Sequence, residues 1–133
     1  MQTLIGFCVL GGIFGEGIDL KKDSLIGVIV VGTGLPQVGC EREILKGYFD
    51  DNGENGFDYS YRYPGMNKVL QAAGRVIRTA EDVGIIVLLD ERFQQYSYRR
   101  LFPREWEQVQ PVTVATVAKK VERFWDAWLW QRG

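Results

Sequence analysis

Three polar side chains recur at helical spacing in the sequence Q-A-A-G-R-V-I-R, residues 71–78. Gln71, Arg75 and Arg78 stand at positions i, i+4 and i+7, so on a helix they lie within about 60° of one another. Because this face carries two arginines and no acid, it predicts an anion site, and guanidinium groups match phosphate oxygens bidentately. An ordinary solvated helix face is the alternative. The opposite face is apolar and comprises Met66, Val69, Leu70, Ala73, Val76 and Ile77.

Composition narrows the classes of function. The chain has 133 residues, 46% hydrophobic and 25% charged, which is typical of one globular domain. Its net charge of −1 gives no support for nucleic-acid binding by bulk charge, so any such site must be a local patch. Two cysteines and no histidine exclude a Cys/His zinc site built from this chain, and we predict no metal site. Because the sequence has no disulfide framework and no apolar run of about 18 residues, we expect a cytoplasmic location without membrane contact.

Apolar runs alternate with helical patterns along the chain. The runs predict three buried strands, at Leu4–Leu10, Leu25–Val31 and Gly84–Leu89, and the first of them includes Cys8. Helices are predicted at Glu41–Asp51, at about 64–79 and at 111–131. This order predicts an α/β fold with a mainly parallel sheet and helices on both of its faces.

Three loops are predicted beyond the carboxyl ends of the strands, where folds of this class collect their ligand-binding residues. These loops are Gly11–Asp19, Gly32–Pro36 and Asp90–Arg92. The first is rich in glycine, which allows backbone amides to approach a phosphate closely.

Two motifs in order identify a family resemblance. The sequence G-G-I-F-G-E-G-I-D-L at 11–20 looks like motif V, and Q-A-A-G-R-V-I-R looks like motif VI, of superfamily 2 DNA helicases of the XPD/DinG type. The connecting G-L-P and V-G-I-I-V-L-L-D-E-R-F also fit, so residues 4–103 resemble the C-terminal motor domain of these helicases. The resemblance implies a partial RecA-like (P-loop NTPase-like) domain. We therefore expect residues 1–133 to form one C-terminal RecA-like domain, truncated at its N-terminal side and closed by the helix at 111–131.

The resemblance assigns roles at a nucleotide. In the family, ATP lies between two RecA-like domains, and Arg75 and Arg78 resemble the arginine fingers that reach its γ-phosphate. Gln71 resembles the amide that senses this phosphate or the attacking water. The residues expected to bind ATP or couple it to DNA are Glu16, Gly17, Asp19 and Gly74. Capping of the glycine-rich loop is the alternative role for both acids, and helix packing is the alternative for Gly74.

A second group is expected to contact single-stranded DNA. Aromatic rings that stack on bases and cations that neutralise phosphates hold single strands without sequence choice. Tyr98, Arg99 and Arg100 combine these groups with the neighbouring Tyr96, and Gly15 is expected to reach a phosphate through its backbone. A surface loop whose arginines extend along apolar side chains is the alternative.

Other family parts are absent from the sequence. It contains no G-x-x-x-x-G-K-[ST] phosphate loop, no D-E-A-H box and no four-cysteine iron–sulfur motif. We therefore expect an N-terminal helicase domain of the same protein to bind ATP and Mg²⁺, with an iron–sulfur cluster possible only in that longer protein. The isolated chain is expected to be inactive and to self-associate through exposed strand edges. The alternative function is a non-catalytic nucleic-acid or protein docking module on a RecA-like scaffold.

Overall fold

The computed structural model describes residues 5, 7, 8, 10, 26–77, 82–106 and 109–132. The chain divides into two compact units, Met1–Leu101 and Phe102–Gly133, where the sequence predicted one domain. Each unit is described by itself. None of the helices in the described ranges is long and apolar enough to cross a membrane.

The first unit contains a parallel pair of strands. Strand β1 (Gly27–Val31) pairs with β2 (Ile85–Leu89) in a register that joins Gly27 to Ile85 and Val31 to Leu89. Side chains alternate between the two faces of a strand, and Val30 is buried while Ile29 and Val31 are exposed. The predicted parallel α/β arrangement is confirmed for these two strands, and helices on both faces stay a prediction.

A helical crossover joins the two parallel strands, because parallel neighbours cannot be connected by a tight turn. It comprises α1 (Cys40–Asp51), a π-helix (Asp58–Arg62) and α2 (Tyr63–Ala73). Helix α1 begins one residue before the predicted Glu41. Helix α2 contacts β1, and its buried residues are Gly65, Met66, Val69 and Ala73. The apolar periodicity therefore identified the core side of α2 correctly.

The helix continues through Pro64, although proline has no amide hydrogen to bond to the carbonyl four residues earlier. That carbonyl belongs to Ser60, and it accepts a hydrogen bond from Nη1 of Arg42 at 2.8 Å instead. The Ser60 hydroxyl donates in return to the Arg42 carbonyl at 2.7 Å. Arg42 thus fastens α1 to the π-helix and satisfies the backbone group that Pro64 leaves unbonded.

Helix α2 ends earlier than predicted. It stops at Ala73, and the amides of Arg75 and Val76 bond to carbonyls three residues back, at 3.2 and 3.1 Å. Val76 is buried against Gly84, where an added Cβ would lie 2.1 Å from its Cγ1 atom. Because Val76 must pack at the start of β2, the chain leaves the helical path after Gly74. The prediction of a helix to about residue 79 was wrong.

A close backbone contact positions the beginning of α2. Gly34 has a φ of +68°, and an added Cβ would lie 2.6 Å from the Gly65 carbonyl oxygen. Glycine is needed at Gly34 both for this conformation and for the close approach. The loop after β1 is therefore packed directly on the first turn of α2.

The predicted first strand lies mostly outside the described residues. Within it, Ile5, Phe7 and Cys8 are exposed and do not belong to a strand. The predicted burial of Cys8 was therefore wrong, because an apolar run is buried only where a partner surface covers it.

The second unit contains one long helix. Helix α4 (Val117–Arg132) follows the short helix α3 (Tyr96–Arg99) of the first unit and begins later than the predicted residue 111. The preceding segment forms a turn, in which Oγ1 of Thr116 accepts from the Thr113 amide at 2.9 Å. The Thr113 carbonyl then accepts from the Val117 amide at 2.9 Å. The second bond has the i→i−4 spacing of a helix, and the first resembles the return bond of a capping box, so the two threonines cap the segment that leads into α4.

Candidate functional site

Two of the predicted anion-binding residues, Gln71 and Arg75, do not share one helix face. Gln71 is exposed in the last turn of α2, whereas Arg75 is half-exposed in the turn after Gly74. Arg75 already makes an interaction within this structure. Arg78 lies outside the described residues. The sequence therefore placed Gln71 correctly on the solvent side of α2, but its joint helical face with Arg75 was wrong because the helix ends at Ala73.

The turn that carries Arg75 lies at the amino ends of the strands. Its neighbour Val76 packs against Gly84, which immediately precedes β2. The loops Gly32–Pro36 and Asp90–Arg92 follow the carboxyl ends of the same strands. Residues 71–75 and these two loops therefore lie at opposite ends of the two strands.

Four further predicted site residues cannot be placed. Gly15, Glu16, Gly17 and Asp19 all lie outside the described residues, so their roles stay predictions. Among the residues that are described, no group of three Asp, Glu, Cys or His side chains could hold a metal ion.

Asp90 at the carboxyl end of β2 is bonded to Arg92. Its carboxylate accepts from the Arg92 amide at 2.9 Å and from the guanidinium at 2.9 and 2.7 Å. The side-chain hydrogen bonds from Arg92 lower the pKa of Asp90 despite partial burial. Asp90 thus caps the 3₁₀ turn Glu91–Gln94 in an internal structural role.

A buried ion-pair cluster lies between the π-helix and α3. The Asp58 carboxylate bonds Nη1 of Arg62 through one oxygen and Nη2 of Arg100 through the other, at 2.7 Å for Arg100. The Arg62 guanidinium carbon lies 4.9 Å from the centre of the Phe57 ring and 5.0 Å from that of Tyr98. Two aromatic rings and a carboxylate therefore surround this cation.

This cluster changes the predicted DNA-binding group. Tyr98 is 2% exposed and packs edge-on against Phe93, so its ring is not available to stack on a base. Arg100 is committed to Asp58. Arg99 and Tyr96 are exposed. The assignment of Tyr98 as a stacking residue was therefore wrong, because α3 turns its ring inward.

Sequence reasoning overlooked Asp58. The spacing of Asp58 and Arg62 at i and i+4, directly before Pro64, is a helical ion-pair signal that could have identified the pair. The link to Arg100 joins residues 42 positions apart, and no local pattern reveals it.

Comparison with known proteins shows one consistent similarity. Residues 1–109 match the family described as helicase C-terminal domain. The ATP-dependent DNA helicase chl-1 of Caenorhabditis elegans is 36% identical over 96 residues, which cover 71% of this chain and 11% of that protein. The ATP-dependent DNA helicase DinG of Photobacterium profundum is 35% identical over 89 residues, covering 65% of this chain and 13% of that protein. The chain spans about an eighth of the length of these relatives.

Proposed function

We propose that this chain, which belongs to the family of helicase C-terminal domains, is the second, RecA-like motor domain of an ATP-dependent DNA helicase. The observation that carries the proposal is the family match over residues 1–109, which includes both helicase-like motifs. The names of the relatives, ATP-dependent DNA helicases, support the same activity. An N-terminal motor domain of the same protein is the partner that this function requires.

The nucleotide role falls to Gln71, Arg75 and Arg78 of the second motif. Arg75 and Arg78 act as arginine fingers that stabilise negative charge on the transferring phosphoryl group, an effect worth roughly 10³–10⁵ in rate in NTPases. Gln71 is exposed in the last turn of α2 and suits a sensor of the γ-phosphate or its water. The guanidinium and amide donors fit a phosphate chain. ATP and Mg²⁺ are held mainly by the N-terminal domain.

The remaining assignments concern coupling and DNA. Glu16, Gly17, Asp19 and Gly74 bind ATP or couple it to DNA, and Gly15 contacts the strand through its backbone. Single-stranded DNA is held by cationic and aromatic side chains around α3. Arg99 and Tyr96 are the exposed groups there, and the pair Asp58–Arg100 supports them from beneath by fixing the position of α3.

The test of the nucleotide role uses the complete helicase. We expect Arg75→Ala and Arg78→Ala each to lower ATP turnover by about 10³ or more and to abolish unwinding. Arg104→Ala, which removes an exposed arginine far along the chain, is the matched control and should retain both activities. Circular dichroism checks that each variant is folded. Near-normal ATPase in both finger variants would refute the assignment and favour a non-catalytic docking module.

The isolated chain gives a complementary test. Its 133 residues contain no phosphate loop, so we expect no ATP turnover from the purified chain. The exposed Ile29 and Val31 side chains of β1 should cause self-association, which sedimentation velocity measures. Turnover that follows the protein through a sizing column would contradict the first expectation, and a monomer at high concentration would contradict the second.

A further inference from the structure

Helix α1 presents an apolar outer face to solvent. None of the residues of α1 is buried, and the exposed fractions are 68% for Ile44, 42% for Leu45 and 61% for Tyr48. At about 100° per residue these three side chains lie within roughly 100° of one another, on one side of the helix. We call Ile44, Leu45 and Tyr48 the outer face of α1.

The opposite side of α1 already has its partners. Arg42 exchanges two hydrogen bonds with Ser60, and the ring of Phe49 stacks on that of Tyr59 with the centres 4.6 Å apart. These contacts fix the rotation of α1 about its axis. The outer face therefore points away from the π-helix. Rotation of α1 about its axis would bury this face only by breaking both contacts.

Acidic residues stand at both ends of the outer face. Glu41 precedes Ile44 by three positions, and Asp51 follows Tyr48 by three, so both carboxylates lie on the same side of the helix. Neither forms an ion pair with a residue in the described part of the chain. Ten residues of helix separate them by about 15 Å. The surface is thus an apolar stripe with one negative charge at each end.

This charge pattern indicates which kind of molecule can bind the outer face of α1. A second copy of α1 packed on the stripe would bring carboxylates together in either orientation: Glu41 against Asp51 when antiparallel, and like against like when parallel. Such pairs oppose association. An anionic nucleic acid is disfavoured for the same reason. A segment that carries cations at both ends of an apolar stripe satisfies the whole surface.

We propose that the outer face of α1 binds an amphipathic helix of a partner protein whose apolar stripe has Lys or Arg at both ends, about 15 Å apart. An amphipathic helix presents apolar side chains at i, i+3, i+4 and i+7 along one face, which suits packing against this stripe. The ion pairs at its ends set the register of the partner more than its affinity. This proposal is independent of ATP, so it stands or falls separately from the helicase assignment.

The test uses two synthetic helical peptides that share one leucine stripe. One carries Lys about ten residues apart at the ends of the stripe, and the other carries Glu there. Fluorescence anisotropy with the purified chain measures both affinities. We expect the Lys peptide to bind more tightly, by roughly twofold to thirtyfold, which is the range that two exposed ion pairs provide.

Charge reversal distinguishes specific binding at the outer face of α1 from non-specific hydrophobic binding. The double variant Glu41→Lys/Asp51→Lys should prefer the Glu peptide, because both ion pairs are then restored with opposite signs. Tyr48→Ser should weaken binding of the Lys peptide at least fivefold, whereas Val114→Ser, which removes an exposed apolar side chain of the second unit, should leave it unchanged. Circular dichroism and the urea midpoint show whether the variants remain folded.

Three results would overturn the proposal. The first is equal binding of the two peptides, or no reversal in the double variant. The second is concentration-dependent dimerisation that Ile44→Ser abolishes, because the occupant is then a second copy. The third is loss of peptide binding in the longer helicase, because its own further residues then cover the face.

Discussion

Removing the Asp58 carboxylate tests what holds the first unit together. The Asp58 side chain is 4% exposed and pairs with two guanidiniums, of which Arg62 is 16% exposed and Arg100 is 37% exposed. Arg62 lies between the rings of Phe57 and Tyr98, where water reaches it poorly. In the variant Asp58→Ala, Arg62 becomes a mostly buried cation without its counter-ion.

The size of the effect follows from this difference in exposure. Leaving one charge of a buried pair uncompensated costs about 3–5 kcal/mol, whereas an exposed pair contributes about 0–1 kcal/mol. The loss at Arg62 therefore dominates, and we expect Asp58→Ala to lower the free energy of unfolding by about 3–5 kcal/mol. Domains have only about 5–15 kcal/mol in total, so a large part of the stability is lost. Arg100→Gln should cost about 1 kcal/mol or less, because water replaces Asp58 at this half-exposed group.

Urea unfolding followed by far-ultraviolet circular dichroism measures these changes. Tryptophan emission is unsuitable, because all four tryptophans, at positions 106, 125, 128 and 130, belong to the second unit. Asp51→Ala is the control, since its exposed carboxylate should change stability by no more than about 0.5 kcal/mol. The double variant Asp58→Leu/Arg62→Met should recover most of the loss, because an apolar pair needs no counter-ion. A loss below about 1 kcal/mol in Asp58→Ala, or a double variant as unstable as the two single losses combined, would refute the reasoning.

Three further predictions use the same unfolding measurement. Arg42→Ala should cost about 1–3 kcal/mol, because the Ser60 carbonyl, four residues before Pro64, loses its donor; a cost near zero would show that water replaces it. Gly34→Ala should destabilise more than Gly32→Ala, because both residues have positive φ but only at Gly34 does the added Cβ meet a backbone oxygen; equal costs would contradict the close contact. The lowered pKa of Asp90 contributes stability that is present above its unfolded pKa of about 3.9 and lost as pH falls through its folded value. Asp90→Asn should therefore reduce the difference in urea midpoint between about pH 6 and pH 3, and an unchanged difference would contradict this.

Local sequence patterns predicted the helices and strands well where burial of apolar side chains determines the structure. The strand β2 was predicted one residue early, at Gly84, and α1 one residue late, at Glu41. Along α2, the period of 3.6 residues identified Met66, Val69 and Ala73 as core residues, and all are buried. The same prediction was wrong for Ile77, which lies beyond the end of the helix and is 45% exposed. Burial of an apolar side chain needs only a correct angle about the helix axis, which the sequence contains.

The candidate site was harder to predict because it depends on where elements end. Val76 is buried as predicted, but it packs on Gly84 from a turn and not from a helix. Arg75 lies in the same turn and is therefore outside the helix. Tyr98 was predicted to be a surface aromatic because its segment is rich in tyrosine and arginine. In the structure the short helix α3 directs its ring into the core. Neither outcome has a local signal, because each is decided by a partner distant in sequence.

The sequence by itself therefore determined the motif order, the α/β pattern and the residue types that could meet a phosphate. These properties depend on neighbours within one or two turns, and the family match over residues 1–109 agrees with the predicted resemblance. Only the tertiary structure decided that Arg62 and Arg100 share the buried Asp58, and that α1 keeps an apolar face in solvent. The reason is physical: periodicity reports the direction of a side chain about its own axis, whereas pairing and exposure depend on which distant surface arrives opposite it.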